Sequence, residues 1–566
     1  MKIKAAVILS LFALFLTGCA PSSLSRYQPE KDSVRVLSAA ASTAMVVSAH
    51  PIASEIGLKI LQEGGNATDA AIATLSALNV VEPHASGLGG GGFALYYSAV
   101  KDSFFVIDYR ERAPAEVIRE QYYRKEDSLH TVRMHGATAI GTPGAPAGWQ
   151  FLFNKFSTQP LEALVAPAAQ VADSGFPLSE KQVGIIMDHL QDIVSDSAIA
   201  SIFLDNGLPP ETGFIVKQPQ LAATLRTLGK SAFTQLYTSP FAEDIVRTVQ
   251  ARGGSLTERD LASYRAQSRQ PLRGRYHEYE IITLPPPSIG GTALLEILKF
   301  AEQSNVRSKQ FLSTEYVHTL AQASRQALRD VTTWISDPDY DQQPVSSLLS
   351  DEWIDRALTR MNEEGVPEQM PAWDAGKPGN TTHLVIVDSL GNLLSLTQSI
   401  NDFYGAGVMA PKSGIMLNNH MADFSSDSTR KNSVQPNHRP ASNMASTIVL
   451  KNGKPVLVIG SPGGPRIAPT VAQVIIAVLD GRLSLQDAVK MPRFFPQNSV
   501  LWVENRMPEE TVEGLKAKGW KVSMNGSTNA FFGGVHAIGI DLVSHRLTGV
   551  ADPRRDGAPA GWEKTK

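Results

Sequence analysis

The sequence contains a single cysteine, Cys19, so an intramolecular disulfide cannot stabilise the fold and a cysteine-based metal cluster is excluded. It also lacks an excess of either charge. The 52 basic and 55 acidic residues leave a formal net charge of -3, and no basic run suggests a phosphate-binding face. We therefore expect no nucleic-acid partner. With 43% apolar and 19% charged residues among 566, the composition is that of a globular protein, not a fibrous or disordered one.

The sequence also lacks histidines at the spacing typical of metal ligands. His84, His130, His135 and the other histidines are scattered along the chain and do not form a pattern that binds metal. We predict neither a metal nor a cofactor.

The N-terminus has an apolar run, Ala5 to Leu16, that is shorter than the roughly 20 residues a membrane-spanning helix needs. Two lysines precede it and Leu16-Thr17-Gly18-Cys19 ends it, which is typical of an export signal and less so of a signal anchor. Leu-Thr-Gly-Cys resembles the bacterial lipoprotein signal, which implies a lipid on the Cys19 thiol. We predict a signal peptide over 1–18, a tether over 19–43 and a lipid-anchored protein of the cell envelope. Because Ala20 is not aspartate, we place it at the outer membrane, facing the periplasm.

A β-hairpin is predicted from Thr381 onward. The text TTHLVIVDSLGNLLSLTQSIN contains two alternating segments joined by a Gly-Asn turn region. Pairing Leu384 with Leu396 and Ile386 with Leu394 makes one face wholly apolar, whereas a one-residue slip would mix leucine and threonine. The same register sets Thr381 opposite Ser399 and His383 opposite Thr397. Hydroxyl groups therefore gather at the open end of the hairpin.

A second hairpin is predicted from residues 446–450 and 455–460, joined by Asn452-Gly453. It leads through Ser461-Pro462-Gly463-Gly464-Pro465-Arg466 into an apolar helix over about 467–479. A strand, a glycine pair and a helix start present backbone N–H groups that suit an oxyanion. Taken alone, the same pattern also fits a plain packing turn.

Four other segments have ordinary interpretations. Four glycines, Gly89 to Gly92, run into a strand and lack the Lys-Ser/Thr ending of a nucleotide loop, which favours close backbone packing. Tyr109-Arg110-Glu111-Arg112 reads as a surface charge cluster, and residues 142–374 read as scaffold. The turn-rich segment DAGKPGN before Thr381 is predicted to be exposed.

Several motifs in order resemble the γ-glutamyltransferase family of N-terminal-nucleophile (Ntn) hydrolases. They are GGNATDAAIA at Gly64, PHASGLGGGGF at Pro83, DYRERAP at Asp108, LPPPSIGG at Leu284, TTHLVIVD at Thr381, SGIMLNNHMADFS at Ser413 and GSPGGPRI at Gly460. The resemblance implies an α+β fold, a four-layer αββα sandwich, made as a precursor that cuts itself between Asn380 and Thr381. A large subunit over 44–380 and a small subunit over 381–566 would then form one intertwined domain.

The resemblance also implies a nucleophile, and elementary chemistry agrees with it. A threonine hydroxyl needs a base, and an N-terminal residue supplies its own amine, which titrates at about 7.7 to 8.0. Before cleavage that nitrogen is an amide, so turnover requires maturation. By resemblance, Thr381 is the nucleophile, Ser399 hydrogen-bonds its hydroxyl, and Gly463 and Gly464 form the oxyanion hole.

The resemblance further implies a set of substrate-binding residues. Arg110 would bind the glutamyl α-carboxylate, Asp423 the α-ammonium, and Asn401 would lie beside the ammonium; Ser442 would help to hold the carboxylate. Two positions depart from the family pattern: His420 replaces Glu or Gln, and Asn443 replaces a second serine. Both keep hydrogen-bonding capacity. The segment 425–439 is also short for a lid, so bulkier amides could enter.

The leading hypothesis is transfer or hydrolysis of γ-glutamyl amides such as glutathione, with water or an amino acid as acceptor. One alternative keeps the chemistry and changes the amide, as in a poly-γ-glutamate hydrolase or a glutaryl-cephalosporin acylase. A second alternative is an unprocessed, non-catalytic envelope lipoprotein that uses the sandwich as a binding scaffold. Intact Thr381, Ser399 and the glycine pair argue against that one.

Overall fold

The structure is a computed structural model, and it describes residues 34, 36–124, 131–366 and 380–563. The predicted signal peptide, Cys19, most of the tether and the segment just before Asn380 lie outside these ranges. Among the helices described, none has both the length and the hydropathy needed to cross a membrane.

The strands are short and mostly antiparallel. They are β1 (Leu37–Ala41), β2 (Ala44–Ser48), β3 (Gly91–Ser98), β4 (Ser103–Tyr109), β5 (Phe176–Pro177), β6 (Ile215–Val216), β7 (Gln267–Arg269), β8 (Leu272–Tyr276), β9 (Tyr279–Thr283), β10 (Asn380–Val387), β11 (Leu393–Asn401), β12 (Met409–Ala410), β13 (Ile415–Met416), β14 (Thr447–Lys451), β15 (Lys454–Gly460), β16 (Phe494–Gln497), β17 (Val500–Val503), β18 (Lys521–Met524), β19 (His536–Ile540), β20 (Leu547–Ala551) and β21 (Ala558–Trp562).

The helices flank these strands. They are α1 (Pro51–Gln62), α2 (Ala67–Val81), α3 (Thr131–Met134), α4 (Ala145–Phe156), α5 (Leu161–Ser174), α6 (Glu180–Asp188), α7 (Leu190–Val194), α8 (Ser197–Phe203), α9 (Pro219–Lys230), α10 (Phe241–Gln250), α11 (Glu258–Ser263), α12 (Ile289–Gln303), α13 (Thr314–Trp334), α14 (Val345–Leu348), α15 (Asp351–Glu364), α16 (Ile467–Leu479), α17 (Leu485–Lys490) and α18 (Glu509–Ala517).

Two seven-stranded sheets form the centre. One has the order β1-β20-β19-β15-β14-β9-β8 and the other β21-β2-β10-β11-β3-β4-β7. Side chains such as Val385 and Phe93 from the second sheet pack against Ile448, Val458 and Ile538 from the first. Helices cover the outer face of each sheet, around separate apolar clusters. The predicted αββα sandwich is confirmed.

The hairpin β10–β11 lies in the middle of the second sheet and is buried on both faces. Its register pairs His383 with Thr397, Leu384 with Leu396 and Ile386 with Leu394, as predicted. Leu384, Ile386, Leu394 and Leu396 face the helices, whereas Val385 and Val387 face the other sheet. The second predicted hairpin is β14–β15, and it leads into α16 over Ile467–Leu479, also as predicted.

The ordered fold begins earlier than residue 44, where the large subunit was predicted to start. Strand β1 lies within the predicted tether and pairs with β20 from Leu37 to Ala41. Strand β1 is the five-residue segment LSAAA, which is mostly exposed and whose sequence has no alternation that would distinguish it from a linker. Its pairing partner is more than 500 residues away, so only the tertiary structure reveals it.

The glycine run ending at Gly92 serves close packing, as predicted. A β-carbon at Gly89 would lie 2.0 Å from the Met416 carbonyl oxygen, and one at Gly90 would lie 2.1 Å from that of Ser399. Neither position has room for a side chain. The run thereby lets the end of β11, which carries Ser399, lie directly against the chain that leads into β3.

Candidate functional site

The Asn380–Thr381 bond is at the start of β10 and is buried, contrary to the exposure predicted for this segment. Asn380 is 0% and Thr381 4% exposed. The residues that precede Asn380 in the predicted segment lie outside the described ranges. Exposure is not required here, because a cut made by the neighbouring side chain needs no external protease.

A β-bulge at this point brings the hydroxyls together. The pairing shifts between Asn380, which faces Asn401, and Thr382, which faces Gln398, so Ser399 and Ile400 together face Thr381. Thr381 Oγ1 donates to Ser399 Oγ at 3.3 Å. The proximity of Thr381 and Ser399 that the register predicted is therefore present, through a bulge that the alternation pattern does not reveal.

Ser399 also contacts the bond itself. Its hydroxyl donates to the carbonyl oxygen of Asn380 at 2.6 Å and accepts from the backbone N–H of Asn401 at 2.7 Å. Asn401 has a φ of 79°, in the left-handed region that is uncommon outside glycine. Ser399 therefore accepts hydrogen bonds from Thr381 Oγ1 and from the Asn401 N–H, and its single hydroxyl proton is directed at the Asn380 carbonyl.

A cavity of about 460 Å³, here called the front cavity, opens in front of Thr381. Nine of the ten predicted catalytic and substrate-binding residues line it: Arg110, Thr381, Ser399, Asn401, His420, Asp423, Ser442, Asn443 and Gly464. The tenth, Gly463, lines a second cavity described below. Residues from widely separated motifs thus share one space with the Thr381 hydroxyl.

Arg110 follows β4 and is buried, not part of a surface charge cluster as its segment suggested. It is 1% exposed, and its Nη2 pairs with Asp423 and donates to the Ala441 carbonyl at 2.9 Å. Its Nε donates to the Pro440 carbonyl at 3.2 Å. Asp423 keeps 22% of its side chain exposed toward the cavity. The residue predicted to bind a carboxylate and the residue predicted to bind an ammonium therefore form an ion pair with each other.

Glu111 is a residue of this site that the sequence interpretation missed. It is 0% exposed, and its Oε1 lies 2.8 Å from His420 Nδ1 while Oε2 lies 3.4 Å from Arg110 Nη1. Burial raises the pKa of Glu111 to about 8, and Arg110 only partly offsets this. Burial also lowers the pKa of His420 well below its usual value, and Arg110 lowers it further. Near neutral pH both side chains are therefore uncharged. The sequence feature that could have placed Glu111 in the site is its position next to Arg110 in the DYRERAP motif.

His420 and Asp423 lie on a 3₁₀ turn, His420–Asp423, that two buried amides hold in place. Asn418 Nδ2 donates to the carbonyls of Gly89 and Gly141 at 2.8 and 2.9 Å, and its Oδ1 accepts from the His420 N–H at 3.1 Å. The Asn419 side chain donates to Asp402 at 3.0 Å. Saturated buried amides make this turn rigid, so it presents His420 and Asp423 in one arrangement.

Ser442 and Asn443 are supported from below by the LPPPSIGG segment. The Ser442 N–H donates to the Pro287 carbonyl at 2.9 Å, and the Ile289 N–H donates to the Ser442 carbonyl at 2.7 Å. A β-carbon at Gly290 would lie 2.2 Å from the Asn443 carbonyl oxygen. This segment, which includes the first turn of α12, therefore fixes Ser442 and Asn443 in the wall of the front cavity.

Gly463 and Gly464 form the turn between β15 and α16. Their φ angles are 132° and 56°, both in the region that favours glycine. Gly464 begins a 3₁₀ turn that continues into α16, and the first N–H groups of a helix have no intrahelical partner. Since Gly464 shares the front cavity with Thr381, this turn can supply donors to a negative oxygen formed there.

The middle of the chain is more than scaffold. Arginines from α13, α15 and the loop after Asp423 line the outer part of the front cavity: Arg325, Arg329, Arg360 and Arg430. Trp334 and Trp353 line it as well. On α13 and α15, the spacing of these residues is that of an ordinary amphipathic helix with one exposed and one buried face. The sequence therefore gave no sign that they line a cavity.

The family model of γ-glutamyltranspeptidase matches residues 53–562. The chain belongs to the γ-glutamyltranspeptidase family. It is 35% identical over 538 residues to the glutathione hydrolase proenzyme of Bacillus subtilis (strain 168), covering 91% of each chain. It is also 35% identical over 534 residues to the acylase ACY 1 proenzyme of Pseudomonas sp. (strain SE83), covering 92% of this chain and 94% of that one.

A solved structure gives the same result for the fold. The chain superposes on the cephalosporin acylase from Bacillus halodurans with a TM-score of 0.83 at 28% identity, covering 96% of this chain and 99% of the other. The family match therefore extends to both sides of the predicted cut at Asn380–Thr381, and the family includes relatives that are named for different activities.

Proposed function

We propose that this γ-glutamyltranspeptidase family member cuts itself between Asn380 and Thr381 and then transfers γ-glutamyl groups, as from glutathione, to water or an amino acid. One observation carries the proposal: the Thr381 hydroxyl, bound to Ser399 at 3.3 Å, opens into the cavity that also holds the Arg110–Asp423 pair. The glutathione hydrolase proenzyme among its relatives supports the same activity.

Self-cleavage begins when Thr381 Oγ1 attacks the Asn380 carbonyl carbon. Ser399 Oγ, 2.6 Å from the carbonyl oxygen, stabilises the negative charge that develops there. The C–N bond breaks, the hydroxyl proton passes to the Thr381 nitrogen, and an ester forms. Water hydrolyses the ester to give the Asn380 carboxylate and a free Thr381 amine, and two subunits result.

Turnover uses the amine that self-cleavage produces. The amine takes the Thr381 hydroxyl proton while the oxygen attacks the γ-carbonyl of the substrate, and the Gly463–Gly464 turn donates to the resulting oxyanion. The C–N bond of the substrate breaks and its amine leaves with the proton. Water or an amino acid then attacks the acyl-enzyme and regenerates Thr381. Ser399, no longer bound to Asn380, is free to donate to the nucleophile.

The Arg110–Asp423 pair favours a zwitterionic substrate head. An α-carboxylate can accept from the Arg110 guanidinium while an α-ammonium pairs with Asp423, so both protein charges keep a partner when their own contact breaks. A dicarboxylic acyl group without an amine would leave Asp423 unpaired. The charge balance of the cavity is therefore the argument for γ-glutamyl over glutaryl amides.

Two observations favour other amides as a second candidate. The uncharged His420 ring has its Nε2 3.9 Å from Asp423 Oδ2, which reduces the space around the carboxylate that would bind an ammonium. The arginines of the outer cavity also suit an acidic leaving group, such as a poly-γ-glutamate chain. Relatives that are named acylases share this scaffold, which supports the second candidate.

N-terminal sequencing of the small fragment, together with turnover of γ-glutamyl-p-nitroanilide, glutaryl-7-aminocephalosporanic acid and poly-γ-glutamate, tests the proposal. We expect a new N-terminus at Thr381 and the highest kcat/KM on the γ-glutamyl amide. Activity on either other substrate without activity on the first would favour the second candidate. A single full-length band without amidase activity would favour a non-catalytic scaffold.

A lipid anchor in the cell envelope is a separate part of the proposal, supported by the Leu16-Thr17-Gly18-Cys19 sequence. In a bacterial host, the wild-type protein should fractionate with outer membranes and carry acyl mass on its N-terminal fragment. Cys19→Ala should lose both properties while it retains self-cleavage. Equal membrane association of the two proteins would contradict this part alone.

A further inference from the structure

A second cavity, of about 560 Å³, lies behind the scissile bond and is here called the back cavity. Its lining includes Glu82, His84, Gly463, Arg555 and Asp556. The Asn380 side chain contacts two of these residues, whereas the next residue, Thr381, lines the front cavity. Side chains of successive residues in a strand point to opposite faces. The Asn380 side chain is therefore bound by residues of the back cavity, and the Thr381 side chain faces the front cavity.

Both polar atoms of the Asn380 side chain and the Asn380 carbonyl oxygen have hydrogen-bond partners. Its Oδ1 accepts from Arg555 Nη1, and its Nδ2 donates to the His84 carbonyl at 3.4 Å. Its own carbonyl accepts from Ser399 at 2.6 Å. The side-chain contacts restrict rotation of Asn380, and this rotation sets the direction of the carbonyl that Thr381 must attack.

Arg555 is itself held in place by neighbouring structure. A β-carbon at Gly534 would lie 2.5 Å from Arg555 Cγ, so the stem of the arginine occupies space that a glycine leaves open. The Arg555 carbonyl accepts from Lys181 Nζ at 2.8 Å. The preceding residue, Arg554, is locked by a buried pair with Glu504 at 2.7 Å. The guanidinium therefore reaches Asn380 from a rigid base.

We infer that Arg555 is a positioning residue for self-cleavage: its hydrogen bond to the Asn380 side chain orients the scissile carbonyl toward Thr381 Oγ1. The inference rests on the proposed function, since it assigns a role within the cut at Asn380–Thr381. Intramolecular attack depends steeply on the orientation of the reacting atoms, so an anchor on one side of the bond accelerates the step. Once the bond is cut, Asn380 is no longer joined to Thr381 and this role ends.

The test measures two rates separately: conversion of the full-length chain to two fragments on denaturing gels, and turnover of γ-glutamyl-p-nitroanilide by fully cut protein. Arg555→Met should slow self-cleavage about tenfold or more, the effect of losing a hydrogen bond to a charged group. Arg555→Lys should be intermediate, since it keeps the charge and loses the planar fork. The kcat/KM of the cut Arg555→Met protein should stay within about twofold of wild type, because Asn380, the partner of Arg555, is no longer joined to Thr381 after the cut.

His189→Gln is the matched control, because His189 lines the same cavity and pairs with Asp192 instead of Asn380. It should cleave at the wild-type rate. Asn380→Ala removes the other partner of the contact and should slow cleavage about as much as Arg555→Met. The double variant should be no slower than either single variant, because residues that act through one contact are not additive.

Wild-type cleavage rates in Arg555→Met, or losses that multiply in the double variant, would overturn the inference. If Arg555→Met fails to fold, as judged by its thermal transition, Asn380→Ala still decides, because a wild-type rate in that variant also overturns it. A wild-type chain that never cleaves would overturn the proposed function itself, and with it this inference.

Discussion

At both the front and the back cavity, a lining arginine lies beside a buried glutamate. In front the pair is Arg110 and Glu111, of which Arg110 lines the cavity; behind it is Arg555 and Glu82, and both line the cavity. Burial raises the pKa of Glu111 to about 8 and that of Glu82 to about 7. In front, the arginine pairs with Asp423 in the cavity that Thr381 lines. Behind, it is bound to Asn380 within the chain.

In the proposed function, one strand serves two reactions, and this difference places them under separate control. Thr381 would take part in both, with Arg110 in the cavity that Thr381 lines and Arg555 bound to the preceding residue, Asn380. The front cavity should therefore govern substrate affinity, and the back cavity should govern the single self-cleavage event. Variants that affect one rate and spare the other test this separation.

The largest expected effect is that of Thr381→Ala, which removes the atom shared by both reactions. The chain should remain one full-length band, and turnover of γ-glutamyl-p-nitroanilide should fall below detection, because neither ester can form. Ser395→Ala is the matched control, since this buried hydroxyl of the same hairpin binds the Ile459 carbonyl instead. Fragments or turnover in the Thr381→Ala protein would contradict the assignment of the nucleophile.

Arg110→Lys should affect the front cavity alone. Loss of the planar fork should lower kcat/KM for the γ-glutamyl amide about a hundredfold, through charge-assisted hydrogen bonds that lysine cannot reproduce. Self-cleavage should proceed at the wild-type rate. Arg112→Lys provides the control, because Arg112 lies two residues along the chain and binds Ser263. If Arg110→Lys slowed self-cleavage as much as turnover, the two cavities would not be separate.

Ser399→Ala should slow both reactions, each by about tenfold, because its hydroxyl contacts the scissile carbonyl and the nucleophile. Ser399→Thr, which keeps the hydroxyl, should restore most of both rates. Gel conversion and steady-state kinetics measure the two effects. An effect on turnover alone would mean that the 2.6 Å contact with Asn380 has no role in the cut.

Glu111→Gln should change the pH dependence of stability. Since its pKa is raised from 4.5 to about 8, the native protein keeps a proton that the unfolded chain loses above about pH 4.5. This carboxyl therefore makes stability fall as pH rises from 4.5 to 8. Glutamine has no proton to lose, so the Tm of the variant should fall less over this interval.

Exposed Glu116 provides the control for that measurement, and Glu116→Gln should follow the wild-type curve. An unchanged fall of Tm in Glu111→Gln would show that this carboxyl is already ionised in the native protein. The uncharged state assigned to the Glu111–His420 pair would then be wrong.

The front cavity was largely predictable because its residues lie in ordered motifs, and because a strand hairpin with one apolar face has a single favourable register. Strand β1, the buried state of Glu111 and the arginine-lined outer wall were not predictable in the same way. Charged residues in a short run look like surface residues until the surrounding elements are known. Long amphipathic helices do not reveal which polar side chains line a cavity.

By itself, the sequence determined the two hairpins, the tight glycine packing before β3 and the turn at Gly463–Gly464, and its motifs predicted Thr381 as the nucleophile. These features follow from local alternation, turn chemistry and ordered motifs. Only the tertiary structure decided that Asn380 is buried and bound by Arg555, which is 175 residues away in the chain. The physical reason is that such a contact depends on the packing of whole sheets and helices, and no local pattern records it.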